Sequence, residues 1–452
     1  MYLATFTFTA ALLPVLLLCY YLIPAKGKNA FLLLCSLLIY GWGHPMRILY
    51  PLACICYDYG VGLLLERWKG KKALSVTVLA LSALLQVTAV MYARTAAAAD
   101  AILFPFGIAV YTLQGLGYLI GIYRGRHHAA IRFVDLALYL SFFPVLYAGP
   151  FLSYLEFDEQ LRKRSCNVIR LGEGLTRFIQ GLAEKVVLAD TFGYLFRELR
   201  QAQELSMLTA WLTTISFSMY LYFELLGYTE MARGLGCALG FTLPESFRHP
   251  FFAPTITEFF QSWNCTLLLW FQTNFRYFLF SSAPKHRWQK YGSLVLTWTL
   301  IGAWYGQKPQ FVLWGAVIGV LLVLDQLVLE PVAKKRYVVG MLWTAVILQF
   351  AWVLFFVDDL TEVGTIWKAM LGFGKGIADS YGFYFFTSYI AFILLGFYIA
   401  ADLFRNIAER VSGSGFGKFL GFWKPIVHGA LLVFCLASML YGERIAGLWL
   451  QL

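Results

Sequence analysis

The stretch from Phe133 to Leu152 reads FVDLALYLSFFPVLYAGPFL. It is apolar and close to the roughly 20 helical residues needed to cross ~30 Å of hydrocarbon. Pro144, Gly149 and Pro150 interrupt it, and proline removes a backbone donor and breaks a helix. The basic clusters around it sharpen the conflict. Lys26 and Lys28, then Arg67, Lys69, Lys71 and Lys72, then Arg124 and Arg126 fall between apolar runs in a way that places all three on the cytoplasmic face. A full span at 133–150 would carry the next cluster (Arg162, Lys163, Arg164, Arg170) to the opposite face, whereas a re-entrant segment keeps it inside. Irregular backbone at membrane depth survives only where protein or a watery cavity satisfies it. Residues 133–152, with Pro144 and Pro150, are therefore expected to line a cavity, and the same parity places the N-terminus outside.

The rest of the chain supports that reading. Of its 452 residues 60% are hydrophobic and 13% charged, against about 45–50% and about 25% in ordinary soluble domains, and mean hydropathy is +0.67. Apolar runs recur near 3–22, 29–43, 48–65, 73–92, 104–122, 207–226, 291–304, 311–329, 339–356, 382–401 and 425–441. The first lacks a basic leader and a small-residue cleavage site, and so reads as a membrane helix. Residues 172–189 set Glu173, Arg177, Glu184 and Lys185 against Leu175, Phe178, Leu182 and Val186 at helical spacing, as an amphipathic surface helix does. Residues 254–280 open with Pro254, Thr257 and Glu258, a helix start, and then alternate aromatic and polar groups. The fold class expected is all-α and polytopic, one membrane domain over 1–452.

The net charge of +11 does not point to nucleic acid, because the basic residues sit in short clusters between spans, Lys334, Lys335 and Arg336 among them. Such loops read as solvated, with contact to anionic lipid heads as a further role. Of eight cysteines, Cys19, Cys35, Cys54, Cys56 and Cys435 lie in apolar runs as small hydrophobes. No Cys/His spacing suggests zinc, and no metal site is expected.

Motifs then follow one another in a fixed order. They run from Gly107, Tyr111-Thr112-Leu113-Gln114 and Tyr123-Arg124-Gly125 to Ser141-Phe142-Phe143-Pro144 and Ala148-Gly149-Pro150-Phe151. Gly227-Tyr228-Thr229-Glu230, Pro244-Glu245-Ser246-Phe247, Pro250-Phe251 and Ile256-Thr257-Glu258-Phe259 come next. Trp263, Trp270, Trp304, Gly306, Phe311, Trp314, Gly315 and Gly319 complete the series. This order resembles the membrane-bound O-acyltransferase family, and within it the group that includes the alginate O-acetyltransferase and the teichoic-acid D-alanyl transferase. The resemblance implies a ring of about eleven tilted helices, with re-entrant and interfacial helices, around a central cavity. It also implies an acyl donor such as acetyl-CoA or an acyl-carrier thioester, and an acceptor hydroxyl on an exported or cell-surface polysaccharide. A histidine of the family takes the acceptor's proton, and imidazole suits that task because its pKa of about 6.5 lies near working pH.

This chain departs from the family at those positions. Tyr305 follows Trp304 where the family has its Trp-His-Gly histidine, and Ile318 stands at the second histidine. Asn264 follows Trp263 where the family commonly has Trp-His, and Gln261 and Ser262 replace paired arginines; Phe356 stands where an arginine is frequent. The resemblance thus makes Tyr305, Ile318 and Asn264 the catalytic positions, in substituted form. It makes Trp263, Trp304, Gln307, Trp314, Pro144 and Pro150 the cavity or substrate path. A phenol of pKa about 10 is a weak base at neutral pH.

Three readings stay open. The chain acylates a polysaccharide, with Tyr305 acting as a phenol beside Asn264 or Gln307, or with His428 relocated into the role. It is a pseudoenzyme that binds an acyl carrier, a glycan or a sister acyltransferase, such as a periplasmic partner. Or it is a passage for lipid-linked or small acyl substrates. His44 reads as interfacial, His249 as bonding its neighbours, and the pair His127 and His128 as a solvated loop.

Overall fold

The computed structural model describes residues 3–99, 107–202, 205–276, 286–330, 335–401 and 415–441. Residues 104–106 of one expected span, 277–280 of the aromatic-polar segment, and Lys334 lie outside them. The described residues form α-helices with short 3-10 and π turns, and no strand occurs among them.

In chain order the helices are α1 (Leu13–Leu22), α2 (Lys28–Tyr40), α3 (Leu49–Arg67), α4 (Lys72–Ala99), α5 (Ile108–Tyr123), α6 (Phe133–Ser141), α7 (Tyr154–Lys163), α8 (Val168–Ala183) and α9 (Asp190–Leu199). They continue as α10 (Met207–Ala238), α11 (Ile256–Ser262), α12 (Cys265–Phe271), α13 (Arg287–Tyr305), α14 (Pro309–Leu324), α15 (Tyr337–Phe356), α16 (Leu360–Met370), α17 (Ser380–Ala400) and α18 (Gly415–Tyr441). Within the described residues each expected apolar run overlaps one of them. Among the described residues six helical segments are long and apolar enough to cross a membrane: Pro45–Arg67, Lys72–Thr95, Pro309–Leu329, Tyr337–Phe356, Ser380–Ala400 and Trp423–Tyr441. The other expected spans are shorter or more polar; α2 rises only about 20 Å at 1.5 Å per residue. Leu81, Leu84 and Leu85 of α4 and Val338, Leu342 and Trp343 of α15 are exposed, the mark of helices whose outer faces meet lipid rather than water.

The chain packs as two compact units: Met1–Gly181 with Tyr228–Glu245, and Leu182–Gly227 with Ser246–Leu452.

In the first unit, α6 ends at Ser141, and a 3-10 turn (Phe143–Val145) and a cis Gly149–Pro150 peptide follow. At about 14 Å, α6 covers half a bilayer, so 133–152 is no spanning helix. Every residue from Leu136 to Pro150 is buried. Ser153 and Glu156 then form a capping box that starts α7. Two members of the fourth basic cluster are structural rather than solvated. Arg164 donates to the Tyr20 hydroxyl at 3.1 Å and lies 4.7 Å from the Phe241 ring centre, and Arg170 donates to the Phe241 carbonyl and the Thr242 hydroxyl. Gly174 of α8 meets Gly234 of α10 so closely that a Cβ on either would collide with the other helix's backbone.

In the second unit, α8 runs on through a π turn, Glu184–Ala189. Lys185, expected on the polar face of that surface helix, is buried at 4% exposure. Its ammonium lies 2.5 Å from Asp190 and 2.8 Å from Glu224. Burial pushes the Lys185 ammonium down, but the two carboxylates outweigh it and hold it above the ordinary lysine value. The aromatic-polar segment differs from the single helix expected over 254–280. It forms α11, capped by the Thr255 hydroxyl on the Glu258 N–H, and then α12, with the break at Asn264.

Candidate functional site

Tyr305 is the last residue of α13, and α14 begins four residues later with Pro309, whose fixed φ and missing N–H suit a first turn. Glycines bring the two helices into backbone contact. A Cβ on Gly302 would collide with the Phe311 carbonyl oxygen, and one on Gly315 with that of Trp298. Gly319 likewise sits against Val295. Gly315 and Gly319 are one turn apart, the small-xxx-small spacing that lets membrane helices approach.

That close approach sets Tyr305 edge-on to Trp314, with ring centres 5.7 Å apart. Ile318 follows Trp314 by one turn on α14 and is fully buried. Asn264 arrives from another direction. It adopts the left-handed conformation (φ 42°) between α11 and α12, which asparagine tolerates better than most residues. The break is pinned where Cys265 N–H donates to the Ser246 carbonyl at 2.8 Å and Ser246 shares a hydrogen bond with Thr266 at 2.9 Å. The Tyr305 hydroxyl is thereby within hydrogen-bonding reach of the Asn264 amide and the Trp263 indole.

Aromatic rings fill the surroundings. Tyr305 meets Phe355 at 5.4 Å, Trp314 stacks on Trp352 at 5.5 Å, and Trp263 meets Trp352 at 5.2 Å. Phe311 packs on Phe355 at 4.9 Å, and Phe260 on Trp298 at 4.4 Å. Tyr305, Ile318, Asn264, Trp263 and Trp314 therefore gather in one buried region of the second unit, and Trp304 is buried on the same helix as Tyr305. Gln307 is exposed on the turn that follows. Pro144 and Pro150 are buried in the first unit.

Sequence reasoning missed Trp352 and Phe355 on α15, although their three-residue spacing puts two large rings on one helix face. It also missed the pairing of Lys185, because a lysine at helical spacing beside Glu184 looks like a solvated one. Phe356 packs on Phe217 and Phe196 at 4.9 and 5.2 Å, with the Arg200 guanidinium 5.5 Å above its ring.

The histidines are placed elsewhere. His428 Nδ1 lies 2.7 Å from the Lys424 carbonyl one turn back on α18. His249 Nδ1 lies 3.3 Å from the Ala400 carbonyl, a longer-range partner than the neighbours expected of it. His44 is exposed. His128 pairs with Glu66 at 2.7 Å, and His127 is enclosed by Tyr118 and Tyr154, so this doublet is only partly solvated. Burial pushes the His127 imidazole below its ordinary value. Among the described residues no group of His, Cys, Asp and Glu side chains could hold a metal ion.

Residues 126–357, just over half of the chain, match the membrane-bound O-acyltransferase family. The chain belongs to that family. It is a multi-pass membrane protein, all-α in its described residues. Among its relatives is a probable alginate O-acetylase of Pseudomonas fluorescens, 29% identical over 413 residues, which are 87% of this chain and 81% of the relative. A peptidoglycan O-acetyltransferase of Helicobacter pylori is 29% identical over 308 residues, covering 60% and 57%. A teichoic acid D-alanyltransferase of Bacillus subtilis is 26% identical over 265 residues, covering 55% and 66%. The matched segment of this O-acyltransferase family member includes Asn264, Tyr305, Ile318 and Trp352.

Proposed function

We propose that this chain serves the O-acylation, most simply the acetylation, of an exported or cell-surface polysaccharide, as a pseudoenzyme that binds its partners without transferring the acyl group itself. The observation that carries this reading is the buried setting of Tyr305 and Ile318. A phenol bounded by Asn264, Trp263, Trp314 and Phe355 stands where a general base belongs, and an isoleucine at the second position has no acid–base capacity. Loss of a general base costs about 10²–10⁴ in rate. The ligands this reading assigns are an acyl donor, acetyl-CoA or an acyl-carrier thioester, and a glycan or a periplasmic sister acyltransferase. The basic loops orient the chain in the plasma membrane with its N-terminus outside, and Tyr305, Asn264 and Trp314 form the binding wall.

One contact favours the alternative of a directly acting phenol: the Tyr305 hydroxyl reaches the Asn264 amide and the Trp263 indole, which could steady a developing phenolate. The experiment that decides is acyl transfer by the purified full chain in nanodiscs, from acetyl-CoA to alginate, peptidoglycan fragments or teichoic acid. The expected result is no transfer above background, with little recovery in the joint Tyr305→His, Ile318→His variant, because Gln261, Ser262 and Asn264 also lack the family's groups and a base needs a preorganised shell. Turnover by the unmodified chain that disappears in Tyr305→Phe, or only in His428→Ala, overturns the pseudoenzyme reading in favour of a phenol or a relocated histidine.

A further inference from the structure

In the first unit, a cavity of about 190 Å³ lies between α3, α4 and α5, lined by Leu65, Lys69, Lys72, Ser75, Ile122 and Tyr123. The apolar segment of α3 ends at Arg67 and that of α4 begins at Lys72. The turn between them, residues 68–71, therefore stands at the level where hydrocarbon gives way to headgroups. Half-buried Trp68 marks the same level, because an indole has an apolar body and a polar edge that suit the interface. The turn is held in place from within. The Trp68 carbonyl accepts from the Lys71 N–H at 2.8 Å and from the buried Ser75 hydroxyl at 3.1 Å.

The rim of this cavity carries a charge excess. Residues 66–72 include Arg67, Lys69, Lys71 and Lys72 against the single carboxylate of Glu66. That carboxylate is already engaged by His128 at 2.7 Å and by the Ala129 N–H at 3.2 Å. Lys69 lies 3.9 Å from it, and Lys72 makes no ion pair among the described residues. Two ammonium groups thus border a cavity whose other walls, Leu65 and Ile122, are apolar and buried.

Size and surroundings select an occupant. The volume holds about six waters at ~30 Å³ each, and falls below the roughly 300–1,000 Å³ of sites that enclose drug-sized ligands. One phosphate group fits; a nucleotide coenzyme or a glycan chain does not. Leu63 and Leu64 on α3 and Leu74 and Val76 on α4, neighbours of the lining residues, stay exposed. Acyl chains cover such apolar surface, whereas a soluble phosphate leaves it bare. Phosphatidylcholine brings its own cation toward the lysines, so a headgroup with net negative charge is favoured. We propose that this cavity holds the phosphate headgroup of an anionic phospholipid, with Lys69 and Lys72 as its charged contacts and the lipid chains along Leu63, Leu64, Leu74 and Val76. The site lies apart from the residues around Tyr305 in sequence and unit, and it holds whether or not the chain transfers an acyl group.

The test measures binding to the full chain in neutral detergent, by microscale thermophoresis, of dioctanoyl-phosphatidylglycerol, dioctanoyl-phosphatidylcholine and glycerol 3-phosphate. The phosphatidylglycerol should bind about tenfold more tightly than the phosphatidylcholine, and the glycerol phosphate more weakly than the phosphatidylglycerol. Lys69→Gln and Lys72→Gln should each lower phosphatidylglycerol affinity about fivefold. Lys71→Gln, in the same turn but outside the lining, should lower it less than about twofold. All three lysines are exposed, so these substitutions leave the core intact. Equal losses in Lys71→Gln and Lys72→Gln would mean diffuse attraction to the surface and overturn the site. Equal affinity for the two lipids overturns it as well. Glycerol 3-phosphate bound as tightly as phosphatidylglycerol, with the same dependence on Lys69 and Lys72, would make this a site for soluble phosphate and refute the lipid as occupant.

Discussion

Two buried regions of the second unit treat charge in opposite ways. Around Tyr305 the neighbours are rings and one amide. Around Lys185 an ammonium is enclosed with two carboxylates, Glu224 at 1% exposure and Asp190. A general loss of interior polarity would have reached both. The buried ion group at Lys185 shows that this interior accommodates charge where each ammonium or carboxylate finds an opposite partner. Isolated buried charge costs several kcal/mol per ion, and mutual attraction repays it only when both partners are present.

The largest expected effect breaks that comparison on its charged side. Lys185→Met should leave the Glu224 and Asp190 carboxylates without their shared cation and lower stability by about 3–5 kcal/mol, seen as a fall in the thermal midpoint in detergent. The double variant Lys185→Met, Glu224→Leu should recover most of the loss. An undiminished midpoint in Lys185→Met would mean the buried ion group is not what holds this region together.

On the aromatic side, Gly315→Val should force α14 away from the Trp298 carbonyl, which leaves no room for an added Cβ. Overpacking of this kind costs about 1–3 kcal/mol, and the separation of α13 from α14 should appear as faster hydrogen exchange at residues 298–305. Tyr305→Phe removes a smaller contact. Leaving the Trp263 indole without its hydroxyl should cost about 1–2 kcal/mol in the thermal midpoint, with no change in acyl transfer; a fall in transfer would place Tyr305 in the chemistry.

The smallest effect concerns the first unit. The His127 imidazole is held below its ordinary value, so the folded state binds fewer protons than the unfolded one as pH falls. Its contribution to stability is therefore present above the unfolded pKa of about 6.5 and is lost as pH drops through the folded value. Hydrogen exchange at residues 124–132 should accelerate between pH 7.5 and 5.5, and His127→Phe should flatten that dependence.

Much of the fold is legible in residue order alone. Apolar runs locate the helices because a spanning helix must be apolar over its length, and Pro144 with Pro150 marks a segment that the charge parity does not let through. The break at Asn264 is less legible. Thr257 and Glu258 announce a helix start, but nothing local announces its end, because the left-handed turn is stabilised by Ser246, far away in sequence. Lys185 is misread for the same kind of reason, since its partner Glu224 belongs to a helix that begins 22 residues later, at Met207.

The sequence by itself determined the membrane class and the family, because these are properties of residue type and order. Only the tertiary structure decided what surrounds Tyr305 and Ile318. Glycine contacts between α13 and α14 bring Tyr305 to Trp314, and α15 brings Trp352 and Phe355 to the same place. Which rings meet depends on how these helices pack against one another, a geometry that spacing along a single helix does not contain.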